Sequence, residues 1–526
     1  MKLRLLPVLT SMLFISAPLI QSGALAEDAP TAAHALPPGI AWQSDVQAAF
    51  DQAKATNKPL FLYWGAVWCP PCNQVKATIF NQQAFIERTT AFIPVYLDGD
   101  SDGAQKWGEQ FHVLGYPTMI LFKPDGTEIT RLPGEADAER YVQALNLGLN
   151  ASHPVKQVLA AGLKEHAHLS QAEWQMLADY SWDSTTQLFA PEHAAITLQT
   201  LARHAEANNA HPQALRLQLL AAASASDSKL KQTIDKPSAL EALRSVLADP
   251  KRVRANFDTL VNFAPAMVET LTDAGTPARK QLIASTHKAI TGLAAETSLS
   301  TTDRLSAVSA DVALAQLDLP KDAPLPAPLL HTVRTAVATA DKTTTNGYER
   351  QSVISAASDV LITAHLRDES DTLLKAELTR SHSPYYFMSG LASNAKARGD
   401  NAAALNWYEQ AWAAADGPAT RLRWGASYLV NVVSLAPQDD ARVQKVASGI
   451  LKDVSEIHNA FFEANQRNLQ RVVNSLAQWN KAGEHKAAVD QITGQLSGIC
   501  DKLEATDPQH EKCESLVKTA KGPAAV

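Results

Sequence analysis

The chain has 526 residues, 46% hydrophobic and 19% charged, a composition that excludes a disordered polar chain and predicts more than one domain. Its formal charge of −7 comes without any basic block or basic-aromatic stripe, so no nucleic-acid partner is expected. Aromatics make up only 6% and alanine is common after residue 150, which favours helices packed through small side chains.

Lys2 and Arg4 precede the apolar run "LLPVLTSMLFISAPLI", and small residues stand at Ala24 and Ala26. This is the pattern of a secretory signal peptide over residues 1–26, with cleavage expected before Glu27. The apolar core is short and interrupted by Pro7 and Pro18, which argues against a lasting anchor. No later stretch approaches a membrane span, so none is expected after cleavage. Removal of the signal leaves 45 basic against 54 acidic residues, and export changes what four cysteines mean, because disulfides persist outside the cytosol.

Residues 27–40, "EDAPTAAHALPPGI", are polar and Pro-rich and read as a linker. Over 41–150, Ser44 with Gln47 three residues on predicts an N-capped helix from Asp45 to Ala55. "KPLFLYWGA" is a short apolar run bounded by Pro59 and Gly65, hence a buried strand. The segment "WCPPC" should open the next helix, "AFIPVYLD" a second strand and "GAQKWGEQFHV" another helix. "GYPTMILFKPDGTEITRLPG" then reads as two antiparallel strands about a turn at Pro124-Asp125-Gly126, followed by the helix "EADAERYVQALNLGL". The predicted class is a mixed α/β sheet flanked by helices. From 151 to 526 strand-like runs vanish and helical periodicity alternates with short Pro/Gly/Asp breaks, predicting an all-α region of helical hairpins. "GDNAAALNWYEQAWAAADGP" places Gly399, Ala404, Tyr408, Ala411 and Pro418 as a tetratricopeptide helix would, but no constant repeat period follows.

Cys69 and Cys72 carry the strongest chemical signal. A Cys-x-x-Cys pair at a helix start brings two sulfurs within disulfide reach, and the first sits beside unpaired N–H groups that stabilise a thiolate. Cys69 is therefore the expected nucleophile and Cys72 the resolving thiol, with Pro70 and Pro71 suited to the first turn. A structural staple or half of a zinc site are the alternatives. Cys500 and Cys513 are remote and neither belongs to a second Cys-x-x-Cys, so no metal is expected.

Residues 40–150 resemble a thioredoxin-superfamily domain, and especially the thioredoxin-like C-terminal domain of the bacterial transmembrane disulfide reductase. The resemblance rests on "AKATNKPLFLYWGAVWCPPC", "FIPVYLDGD" and "FHVLGYPTMILFKPDGTEITRLPG", about a fifth of the chain. It implies a thioredoxin fold, protein dithiols and disulfides as substrates, a membrane or soluble thiol electron donor, and the bacterial periplasm as location. It also implies that Trp68 and Tyr116 support the site and that Pro117 is cis. One departure matters: the family usually carries a buried Asp six residues before the first cysteine, and here Tyr63 stands there. Asp98 is a possible substitute. No charged or His residue lies between the cysteines, which favours reduction or interchange over primary oxidation.

In "SGICDKLEATDPQHEKCESL", Asp507-Pro508 signals a helix start, so two antiparallel helices would bring Cys500 and Cys513 together as a structural disulfide. The aromatics of "SPYYFMSG" and Trp407, Tyr408, Trp412 and Trp424 read as core or as a partner groove. No phosphate loop or nucleophile elbow is found, and no cofactor is expected. The sequence therefore predicts an exported thiol-disulfide oxidoreductase, with a helical interaction scaffold and a disulfide oxidase or isomerase as alternatives.

Overall fold

The computed structural model describes residues 36–521, apart from 135–136, 228, 230–232 and 321–322. The signal peptide expected over 1–26 and most of the linker lie outside the described residues.

Strand β1 (Leu60–Gly65) is buried at every position, as a strand flanked on both edges and both faces must be. It pairs in parallel with β2 (Ile93–Asp98) and antiparallel with β3 (Thr118–Phe122), and β3 pairs antiparallel with β4 (Glu128–Leu132). The four-stranded order is β2-β1-β3-β4. In the β3–β4 turn, Lys123 N–H donates to Thr127 O at 2.8 Å, and Gly126 takes φ 85°, a conformation only glycine adopts without strain.

Five helices flank this sheet: α1 (Val46–Thr56), α2 (Pro70–Thr78), α3 (Gln83–Arg88), α4 (Ala104–Gln110) and α5 (Ala138–Leu149). Strand alternation divides the core. Phe61, Tyr63, Met119 and Leu121 face α2 and α5, while Leu60, Leu62, Trp64 and Ile120 face α1 and α4. The N-cap of α1 is Asp45, not the expected Ser44: the Asp45 carboxylate accepts from Ala48 N–H at 3.0 Å. Both residues are competent caps, and the acceptor one position closer to the helix takes the role.

Beyond α5 the described residues form α-helices only, from Val155–Gly162 to Pro508–Lys521, with short 3₁₀ turns. The helix pair Pro384–Ala397 and Asn401–Ala414 buries Ala404, Tyr408 and Ala411, with Gly399 at φ 78° between the two. Helices Lys486–Cys500 and Pro508–Lys521 are joined by the Cys500–Cys513 disulfide, with Cα atoms 5.5 Å apart.

The helices pack back onto the sheet domain. Gly347–Thr363 lies on α2, Glu463–Trp479 on α4 and Gln171–Asp179 on α5. Charges lock the last contact. Arg140 of α5 pairs with Asp179 at 2.8 Å and Asp258 at 2.9 Å, and Arg216 pairs with Asp258 at 2.7 Å. Arg254 reaches Asp137, the N-cap of α5, at 2.8 Å.

Candidate redox site

Strand β1 ends at Gly65 and the chain turns through Ala66–Trp68 into α2. Cys69 is the N-cap of that helix, and its sulfur accepts from Cys72 N–H at 3.3 Å. Pro70 and Pro71 occupy the first helical turn, where their missing N–H groups remove no intrahelical bond. The two cysteines are disulfide-bonded, with Cα atoms 5.2 Å apart. Asn73, which the sequence reading did not single out, pins this turn. Its amide donates to Val67 O at 2.7 Å and Cys69 O at 2.9 Å.

The Tyr116–Pro117 peptide is cis and leads directly into β3. Tyr116 packs edge-on against Trp68, with ring centroids 5.8 Å apart, and its hydroxyl accepts from Gln105 at 3.1 Å. Trp68, Tyr116 and the cysteine pair thus share one core cluster.

Tyr63 lies beneath the pair. It is fully buried, stacks on Tyr96 at 5.1 Å and directs its hydroxyl to Cys72 O at 3.5 Å. Burial, and then the charge of Asp98, raise its pKa well above the phenol value. The side chain is neutral at physiological pH, so it cannot accept a proton as a carboxylate would. Asp98 closes β2, accepting from Tyr96 Oη at 2.9 Å and Asp100 N–H at 3.0 Å.

Lys76 is a second buried titratable group there, four residues past Cys72 on the same buried helix side. Its Nζ lies 5.3 Å from the Tyr96 ring centroid and 5.5 Å from that of Tyr348, with no hydrogen-bond acceptor among the described residues. Burial pushes its pKa down to about 8, against the opposing pull of Asp98. An unfolded lysine titrates near ~10.4, so between these values the unfolded chain holds more protons and stability rises with pH. From about pH 8 to 9.5 the gain from this group should be about 1.5 kcal/mol, read as the difference from Lys76→Met because buried tyrosines with raised pKa begin to oppose it there. Urea midpoints across that range should rise in the wild type relative to Lys76→Met. Parallel curves would contradict the assignment.

Residues hundreds of positions away cover the pair. Trp68 Nε1 donates to Thr420 Oγ1 at 2.9 Å, and Gln351 Nε2 donates to Trp68 O at 3.2 Å. Tyr386 stacks on the Trp68 ring at 6.2 Å and Trp424 meets it edge-on at 4.9 Å. Gln74 of α2 donates to Asp303 at 2.8 Å. Asp100 accepts from Thr420 N–H at 2.7 Å, so a carboxylate of the sheet domain caps helix Pro418–Leu435. The helix's own N-cap is Gly417, and a Cβ there would overlap the Asp100 carboxylate. Cys69 is left 2% exposed and Cys72 fully buried. Of the aromatics that read as core or as a partner groove, Tyr385, Phe387 and Trp424 are buried, and Tyr386 and Trp424 pack on Trp68 of the same chain.

A Cys-x-x-Cys pair at a helix N-terminus, beside a cis-proline loop on a four-stranded mixed sheet, defines a thiol-disulfide oxidoreductase fold. Residues 46–148 match the thioredoxin-like domain family. Over 104 residues the chain is 31% identical to the thiol:disulfide interchange protein DsbD of Pseudomonas fluorescens, covering 19% of this chain and 18% of that protein. It is 34% identical over 80 residues to the thioredoxin of Mycobacterium bovis, covering 15% of this chain and 65% of the relative. With the thioredoxin of Mycolicibacterium smegmatis the identity is 32% over 79 residues, covering 15% of this chain and 68% of that protein. The chain belongs to the thioredoxin family through this domain. It spans less than a fifth of the DsbD relative and about two thirds of each thioredoxin.

Proposed function

We propose that the chain is an exported, periplasmic thiol-disulfide oxidoreductase working in the reductive or interchange direction on protein disulfides. The observation that carries this reading is Cys69 as N-cap of α2, its sulfur against the Cys72 amide. In the reduced protein that position favours a thiolate at Cys69. The Cys69 thiolate bonds to one sulfur of a substrate disulfide, and the other leaves as a thiolate. Cys72 then attacks Cys69 Sγ, releasing the second substrate thiolate and leaving the Cys69–Cys72 disulfide. The substrate gains two electrons, and an external thiol donor restores the pair.

Trp68, Pro70, Pro71, Tyr116 and Pro117 shape the site in this account. With Tyr63 neutral, Asp98, which accepts from the hydroxyl of the Tyr96 stacked on Tyr63, is the carboxylate that substitutes for the family's buried Asp. The uncharged Pro-Pro spacer supports a reducing to intermediate potential, and the name of the DsbD relatives supports interchange. Export is supported by the N-terminal pattern at 1–26. Among the described residues no helix is long and apolar enough to cross a membrane. We divide the chain into the sheet domain at 41–150 and a tetratricopeptide-like helical region at 151–526, with Cys500–Cys513 a structural disulfide.

A scaffold reading draws on one observation, the 2% exposure of Cys69 beneath the helical region. Cys72→Ser separates the two. A working oxidoreductase with this change accumulates mixed disulfides with client proteins, seen as adducts that dithiothreitol releases. A scaffold accumulates none.

A further inference from the structure

Thiol-disulfide exchange requires a substrate sulfur to come into bonding range of Cys69 Sγ, and reactive cysteines are accordingly at least part-exposed. Cys69 is 2% exposed and shares one core cluster with Tyr385, Ala411, Ala415 and Trp424 of the helical region. A client segment has no path to the sulfur in this arrangement. The site is complete, and it is closed.

Three helices hold the closure at separate points around the cysteine turn. Thr420, at the start of helix Pro418–Leu435, accepts the Trp68 indole N–H at 2.9 Å and donates its own N–H to Asp100 at 2.7 Å. Gln351 of helix Gly347–Thr363 donates to Trp68 O at 3.2 Å. Arg467 of helix Glu463–Trp479 donates to Leu114 O at 3.0 Å, on the loop that leads to Pro117. Ahead of a fourth helix, His382 Nε2 donates to Val67 O at 3.2 Å.

This seam differs from the one on the α5 side, where Arg140, Asp179 and Asp258 form a buried ion network. Around the cysteine turn the acceptors are carbonyls and a hydroxyl, and such bonds exchange for bonds to water at small net cost. Lys76 opposes closure. It is fully buried, with the Tyr348 ring of helix Gly347–Thr363 at 5.5 Å and no hydrogen-bond acceptor for its Nζ among the described residues. Its ammonium regains water when that helix lifts from α2.

We infer that the helical region is an autoinhibitory cover: the protein rests with Cys69 shut in, and the seam at Trp68 opens to admit a client while the α5 side stays joined. The inference rests on the oxidoreductase reading for the client, while the closure of Cys69 stands without it.

The test is alkylation by iodoacetamide of the reduced full chain, freed of dithiothreitol, with Cys69 and Cys72 followed separately by peptide mass spectrometry. In the wild type Cys69 should react at least tenfold more slowly than glutathione at the same pH. Thr420→Val removes the acceptor of the indole N–H at nearly constant volume and should raise the Cys69 rate tenfold or more. Cys72 packs on Tyr63 within the sheet domain, so its rate should not follow. Wild-type Cys69 as reactive as glutathione, or Cys69 still slow in the variant, would overturn the inference. If the variant unfolds and both cysteines react, a urea series on the wild type decides. Cys69 gaining reactivity at lower urea than Cys72 upholds the cover, and a joint rise overturns it. Insulin reduction is measured in parallel. Insulin reduced by a wild type whose Cys69 is openly reactive sinks the cover and leaves the oxidoreductase reading intact. Cys69 freed in Thr420→Val without any insulin reduction does the reverse.

Discussion

Cys69→Ser should abolish insulin reduction by the protein, lowering the rate by at least about a thousandfold, because the attacking sulfur is gone and the remaining thiol, Cys72, is fully buried. Cys72→Ser should differ in kind, since attack proceeds and release fails. The assay is insulin turbidity with dithiothreitol as donor, corrected for the donor's own rate. Equal rates in wild type and Cys69→Ser would refute the chemistry assigned to the pair. The expected rate of the wild type is modest for two reasons already described. Tyr63 cannot take the proton of Cys72, and Cys69 is covered by Thr420, Tyr386 and Trp424 through Trp68.

The second large effect concerns stability. Asp258 lies between Arg140 and Arg216, and though burial opposes its ionisation, Arg216 and Arg140 hold its carboxyl well below the usual carboxylate range. Asp258→Ala leaves two guanidiniums, 11% and 9% exposed, with Asp179 as the one carboxylate between them, and should cost about 3 kcal/mol. Arg334→Ala breaks the exposed pair with Glu369 and should leave the urea midpoint nearly unchanged. Urea unfolding of the two variants measures the contrast, and similar midpoints would show that the buried network contributes no more than a surface pair. The pH sense follows from the lowered native pKa: the Asp258 contribution is whole above the unfolded value near ~4 and disappears as pH falls toward the native one. Because Arg140 belongs to α5 and its partners to the helical region, the same substitution loosens the sheet domain from its surroundings.

What the sequence made legible was local. β1, β2 and the β3–β4 hairpin are apolar runs bounded by Pro and Gly, and their periodicity and turn residues suffice to find them. The Cys-Pro-Pro-Cys turn is visible for the same reason, as spacing and helix start lie within four residues. The covering of the site was not legible. The Trp68–Thr420 and Trp68–Gln351 hydrogen bonds span 352 and 283 residues, and a threonine or glutamine on a helix carries no local sign of what it will meet. The same holds for Asp100, whose role as cap of a distant helix shows only in Gly417, where the close approach leaves no room for a side chain. Asn73 was missed because a buried asparagine pinning a turn looks like any polar helix residue. Ser44 and Asp45 show the finer limit: two adjacent residues could cap α1, and only the backbone geometry chooses.

The central claim is that Cys69 and Cys72 form a couple poised for reduction or interchange, with no group between them to make it a strong oxidant. Equilibration of the full chain against a glutathione or dithiothreitol redox buffer, with alkylation to trap the thiols, gives its potential directly. The account predicts a value between about −270 and −180 mV. A value near about −120 mV, that of a strong oxidant, would contradict it.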